Sequence, residues 1–309
     1  MFKYAVKRLF TLIPVFLVVS MLTFVLGSMS SGDAARILAE RRYEHPTFEQ
    51  IEGVRIEMGL DKPLVVQYGQ WLGNALRGNL GTSFWTDRPV VVEIALLFPK
   101  TLELALLSLL LLVLISLPLG LASAVFRDTW IDRLTRAYCI MSASMPQFWL
   151  ALLLLYILGA RLGIVSVIGG SKTTYPLLPA LTTAVCMGGI YVQLVRTNME
   201  EILSKGYVRA ARAKGLREPQ VITKHALKNA LLPVLSKLGM AFGGLLSGSS
   251  IMESIFSWNG LGKYALESIK TKNFPVVQGY VLFMAFLVVC INLLVDLICG
   301  AVDPRLKLR

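Results

Sequence analysis

Apolar residues in this chain come in unbroken runs, not in a stripe or a strict alternation. Six such runs stand out, at about residues 9–28, 101–126, 138–160, 177–195, 231–252 and 276–302. A helix needs about 20 apolar residues to cross the ~30 Å hydrocarbon core of a bilayer. The strands of a membrane barrel would alternate in character, whereas these runs are apolar on every side. The pattern therefore predicts an all-α integral membrane protein with six transmembrane helices. The first run follows Lys3, Lys7 and Arg8, as a secretory leader would. It is longer than the roughly 7–15 apolar residues of a leader, and it reads as a retained span.

The polar segments between the runs are unequal. Residues 30–100 hold eight Lys or Arg against nine Asp or Glu and read as a small outer subdomain. Short helices are expected there near residues 47–58 and 63–76, the first opened by a capping box of Thr47 and Gln50. Gly78-Asn79-Leu80-Gly81 reads as a turn. In contrast, the segment after the fourth run carries Arg196, Lys205, Arg209, Arg212, Lys214, Arg217, Lys224 and Lys228 against Glu200, Glu201 and Glu218. Three Arg stand in residues 127–136, and the chain ends with Arg305, Lys307 and Arg309. With six spans these basic segments and both termini fall on one side. The bias of Lys and Arg toward the cytoplasm makes that side the cytosol. The division expected is residues 1–29 as the first span, 30–100 as the extracytoplasmic segment, and 101–309 as a five-helix core with a cytosolic loop at 196–230.

Charge and chemistry refine the picture. A net charge of +12 would suggest nucleic acid in a soluble protein, but here the cations flank apolar runs and topology accounts for them. Cys139, Cys186, Cys290 and Cys299 fall in or beside spans without a CxxC spacing, and read as small buried apolar side chains. No G-x-x-x-x-G-K-[ST] occurs, so the chain has no phosphate-cradling loop of that kind. Only His45 and His225 are present, neither in a predicted span, which excludes a His-based intramembrane relay.

Residues 207–233, YVRAARAKGLREPQVITKHALKNALLP, form a basic, Ala-rich segment broken by Gly215. Ala210 and Ala211 give a short helix a face that a partner can approach closely. Gly215 supplies a positive φ where the chain must turn. Arg209, Arg212, Lys214 and Arg217 surround them. A plain basic loop resting on anionic headgroups is the competing reading.

The segment resembles the coupling loop of ABC importer permeases, whose pattern is Glu-Ala-Ala, three residues, then Gly; here Arg209 replaces the Glu. The Leu-Pro that follows is Leu232-Pro233, several residues later than in generic importers. Both departures are similar to the peptide/nickel branch. So are Gly59-Leu60-Asp61-Lys62-Pro63-Leu64, Gly78-Asn79-Leu80-Gly81-Thr82-Ser83, Ser144-Met145-Pro146-Gln147-Phe148-Trp149, Ile255-Phe256-Ser257-Trp258-Asn259-Gly260 and the closing Asp303-Pro304-Arg305. The likeness covers essentially the whole chain.

The resemblance implies a type I ABC importer architecture in a bacterial or archaeal plasma membrane. It implies a second permease chain, identical or different, two cytosolic ATPases that bind the ATP, and an external binding protein that delivers the cargo. The chain itself would hold no cofactor and perform no catalysis. Tyr207, Arg209, Ala210, Ala211, Lys214 and Gly215 would contact an ATPase. Cargo would be nickel, a nickel chelate, or a di- or oligopeptide, with a slight lean to nickel.

Polar residues in spans are functional candidates. Asp296, with Asn292 one turn earlier, is expected to line the path or clamp two helices. Glu253, ending the fifth run, is expected to meet the binding protein. Pro118 and Pro146 are expected to kink their helices, and Gly239, Gly243, Gly244 and Gly248 to allow close helix packing. Two other classes remain open on the residues alone: a secondary transporter or channel, which would need ionisable groups at the midplane or inverted repeats, and a membrane scaffold.

Overall fold

The computed structural model describes residues 2–29, 33–164 and 176–302, so the closing Asp303-Pro304-Arg305 and the basic tail lie outside the described residues. The helices in order are α1 (Phe2–Met29), α2 (Ala34–Arg42), α3 (Phe48–Glu57), α4 (Leu64–Leu76), α5 (Val90–Val125), α6 (Trp130–Ser144) and α7 (Gln147–Leu154). They continue as α8 (Leu177–Leu203), α9 (Gly206–Ala213), α10 (Glu218–Gln220), α11 (Leu227–Gly248), α12 (Ser250–Ile255), α13 (Leu261–Lys270) and α14 (Phe274–Val302). Two π-helical segments, Leu155–Arg161 and Val221–Ala226, continue α7 and precede α11. The chain divides into two compact units, Met1–Lys100 with Asn259–Val289, and Thr101–Trp258 with Cys290–Arg309.

In the first unit, α2 and α3 pack through Ala35, Ala39 and Val54. The capping box is formed: Thr47 N–H donates to Gln50 Oε1 at 2.9 Å and Gln50 N–H to Thr47 Oγ1 at 3.4 Å. α2 was not expected, because a nine-residue helix with two buried alanines carries little apolar periodicity. The turn is present too, with Gly78 and Gly81 at φ of +82° and +87°. The loop after it is held from the far end of the sequence. Asn273 accepts from Phe84 N–H at 3.0 Å and donates to Ser83 Oγ at 2.9 Å. Val90, Ile94, Leu261 and Val276 form the core beside that clamp.

In the second unit, Leu112, Ala184, Val195, Val234 and Leu238 form the main apolar core. Glycine sets the closest approach of α6 and α8. A Cβ on Gly189 would lie 2.9 Å from Cys139 Cα. Gly239 serves internal packing against Val295, whose methyl carbon would be 2.3 Å from an added Cβ. Gly244 and Gly248 have nothing within 4 Å of that position, so they face open space in this chain.

The third run departs from a straight span. α6 and α7 are bent by 101° at Met145-Pro146, so the expected kink is a full break. The residue before a proline is pushed out of the α region, and Met145 takes ψ 120°. Pro118 differs, because α5 continues through it as one 36-residue helix that starts at Val90, not near Thr101. Among the described residues four helices are long and apolar enough to cross a membrane: α5, α8, the stretch Glu218–Gly248, and α14. The bent pair can supply a fifth, and α1 carries an apolar stretch at Ile13–Val25.

Candidate coupling segment

α8 leaves the core of the second unit and its chain turns at Ser204-Lys205 into α9. The Lys205 carbonyl accepts from Val208 and Arg209 N–H at 3.1 and 3.2 Å and starts the helix. α9 seats its inner face through Val208 and Ala211 against Val221 of the following π-helical segment. Burying a valine side chain is worth about 1.5–3 kcal/mol, and these two valines supply the apolar contact that seats the helix. Ala211 faces that seat and is 7% exposed, whereas Ala210 lies on the open face.

The end of α9 is a Schellman turn. Gly215 N–H donates to Arg212 O at 2.9 Å and Leu216 N–H to Ala211 O at 3.4 Å, with Gly215 at φ +79°. An added Cβ there would meet nothing within 4 Å, so glycine answers a backbone demand and leaves the surface flat. Arg212 is tied to Glu218 at 2.6 Å. Arg209, Lys214 and Arg217 are exposed and form no ion pair among the described residues. The Tyr207 hydroxyl accepts from Asn229 Nδ2 at 3.0 Å, linking α9 to α11. Lys205, paired with Glu201 at 2.8 Å, has its pKa raised by that hydrogen bond and stays cationic.

A buried charge cluster lies in the same unit. Asp132 of α6 is fully buried and accepts from Ser123 Oγ at 2.6 Å, Arg196 Nε at 2.9 Å and Asp128 N–H at 3.1 Å, with Arg136 also bonded to it. Arg196 also lies 2.9 Å from Glu200. Arg196, one of the loop cations by its place in the sequence, is instead inside α8 and only 9% exposed. A buried guanidinium needs a carboxylate partner, and the one that decides its burial is 64 residues away in sequence.

Comparison with known proteins bears on this arrangement. The family model described as "Binding-protein-dependent transport system inner membrane component" matches residues 116–308, a stretch that contains α9 and the charge cluster. A companion model, "Binding-prot-dependent transport system membrane comp, N-term", matches residues 1–105. The chain belongs to this family of ABC importer permeases. Within it, the permease falls in the peptide/nickel branch. It is 38% identical over its full length, and that of the relative, to the "Glutathione transport system permease protein GsiC" of Pectobacterium atrosepticum. It is 36% identical, again over both full lengths, to the Escherichia coli protein of that name. Two solved structures share its fold. One is an inward-facing methionine ABC transporter, MetNI, at TM-score 0.54 and 20% identity, covering 68% of this chain and 96% of that one. The other is an amino acid ABC transporter with histidines, at TM-score 0.51 and 18% identity, covering 67% and 91%.

Family membership sets the permease's role. It is a non-catalytic inner-membrane subunit that works with a second permease, ATPase subunits that hydrolyse ATP, and a substrate-binding protein. The secondary-transporter and scaffold readings fall away.

Asn292 and Asp296 lie one turn apart on α14, both partly buried. Glu253 is corrected. It is 0% exposed and accepts from Thr101 Oγ1 at 2.7 Å and Ser249 Oγ at 3.0 Å, so it offers no free carboxylate to a binding protein in this conformation. A carboxylate at a helix end in an apolar run gains more from two hydroxyl donors than from facing lipid. Cys139, Cys186 and Cys290 are free thiols, while the Cys299 side chain lies outside the described residues.

Proposed function

We propose that this permease forms half of the path by which an ATP-driven importer takes up a small peptide, with glutathione or a short peptide as cargo. The observation that carries the cargo assignment is full-length identity of 36–38% to glutathione permeases. Of the cargoes implied by the sequence resemblance, that favours peptide over nickel. On this reading α9 is the helix that enters an ATPase cleft. Ala210 and Gly215 keep its outer face flat, Arg209 and Lys214 meet acidic surface, and Tyr207 and Ala211 hold the helix in place. Asn292 and Asp296 clamp α14 to its neighbours or line the path. The Lys and Arg bias puts α9 and both termini in the cytosol.

Uptake tests the proposal. Cells lacking the chain are expected to lose ATP-dependent uptake of labelled glutathione or of a short peptide, with recovery on re-expression. Loss of nickel uptake with glutathione and peptide uptake unchanged would overturn the cargo. A mild-detergent pull-down should bring a second permease and an ATPase.

A further inference from the structure

The outer subdomain contains a helix whose surroundings differ on three sides. α4 runs Leu64–Leu76, LVVQYGQWLGNAL, without a single charged residue. At 3.6 residues per turn its side chains fall into three sectors. Gln67, Gln70 and Asn74 line a cavity of about 990 Å³ together with Asp33, Arg55 and Thr82. Tyr68 and Trp71 face α1. The Tyr68 hydroxyl is 2.8 Å from Ser20 Oγ, and both rings pack on Phe24 at 5.5 and 5.7 Å between centroids. The third sector holds Val65, Gly69, Leu72 and Leu76, roughly opposite the amides. Val65 and Leu76 are each 82% exposed, and no atom lies within 4 Å of a Cβ added to Gly69.

The position of α4 along α1 says what covers that sector. The apolar run of α1 begins at Leu9, directly after Lys7 and Arg8. At about 1.5 Å per residue, Ser20 lies roughly 17 Å into a ~30 Å core and Phe24 roughly 23 Å. α4 therefore rests on α1 inside the thickness of the hydrocarbon layer, on the side away from those cations. Around Ser20, α1 itself shows exposed Leu17, Val18, Met21 and Leu22, a surface that a membrane span gives to lipid. The open face of α4 is apolar in the same way.

We propose that α4 is a membrane-embedded amphipathic helix. Its Val65–Leu76 face lies in the acyl chains of the outer leaflet, and its amides wall the aqueous cavity of the outer subdomain. The cavity is then bounded on one side by lipid-anchored structure, and bilayer thickness bears directly on how the outer subdomain is held.

The test uses the assembled transporter in phosphatidylcholine liposomes, with a fluorescent amino acid placed singly at Val65, Leu76 or Gln70. Nitroxide-labelled lipid is expected to quench residues 65 and 76 several-fold more than it quenches residue 70, and aqueous iodide is expected to show the reverse order. Stronger quenching of 65 and 76 by iodide would overturn the proposal, since the face would then be in water. Resistance of 65 and 76 to both quenchers would overturn it as well, because a protein partner would then cover the face. Omitting the binding protein identifies that partner if iodide access appears.

Discussion

Replacing Asp132 by alanine should destabilise the permease more than any exposed charge deletion. The carboxylate is fully buried and accepts from Ser123, the Asp128 N–H, Arg136 and Arg196. Arg196 is itself 9% exposed, so Asp132→Ala leaves a buried guanidinium with Glu200 as its carboxylate neighbour, at 2.9 Å. Breaking a buried pair by removing one member costs about 3–5 kcal/mol. Because Glu200 stays, the lower end applies, about 3 kcal/mol. Larger domains lose about 2–4 °C of Tm per kcal/mol, so a fall of at least about 6 °C is expected. Thermal unfolding of purified protein in mild detergent, followed by tryptophan fluorescence, measures it. Asp132→Asn keeps the shape and loses the charge, and it should fall between wild type and alanine. A drop under about 2 °C for Asp132→Ala would refute the reasoning, because Arg196 would then be satisfied without its principal partner.

Three further outcomes are expected. Gly215→Trp should insert into the membrane normally, since the position is open and the positive φ costs only about 1–2 kcal/mol, yet it should fail to co-purify with the ATPase and lose ATP-driven uptake. Gly189→Val should lower Tm through overpacking of about 1–3 kcal/mol or more, because its Cβ meets the Cys139 backbone, whereas Gly244→Ala, with open space for its Cβ inside α11, should not lower Tm. The hydrogen bond from Arg42 lowers the Glu57 pKa from its ordinary 4.5. Its contribution to stability is therefore complete above that ordinary value and is lost as pH falls through the lowered one. Wild type and Glu57→Gln should differ slightly in Tm at neutral pH and converge in acid.

Much of the local structure of α9 and its closing turn was legible in the sequence because its determinants are local. The Schellman turn needs a glycine at one position, and Gly215 stands there after a short Ala-rich helix. The basic side chains that surround it are contiguous in the chain. The capping box at Thr47 and Gln50 was readable for the same reason. Other features were hidden because they depend on partners far along the chain. Glu253 reads as a contact residue at a span end, and one of the hydroxyls it turns inward to meet, Thr101, stands 152 positions earlier. Ala211 looked equivalent to Ala210, and only the docking of Val221 separates the two faces of α9.

By itself the sequence determined the membrane class, the helical character and the basic segment with its break. Run length, residue type and spacing decide those, and none requires knowing what packs where. The tertiary structure decided which charges are buried, where the third run breaks through 101°, and which face of α4 stays open. Burial is a property of pairs of surfaces. Arg196 and Asp132 are each costly to bury alone, and only the fold that brings α6 against α8 lets them share one site.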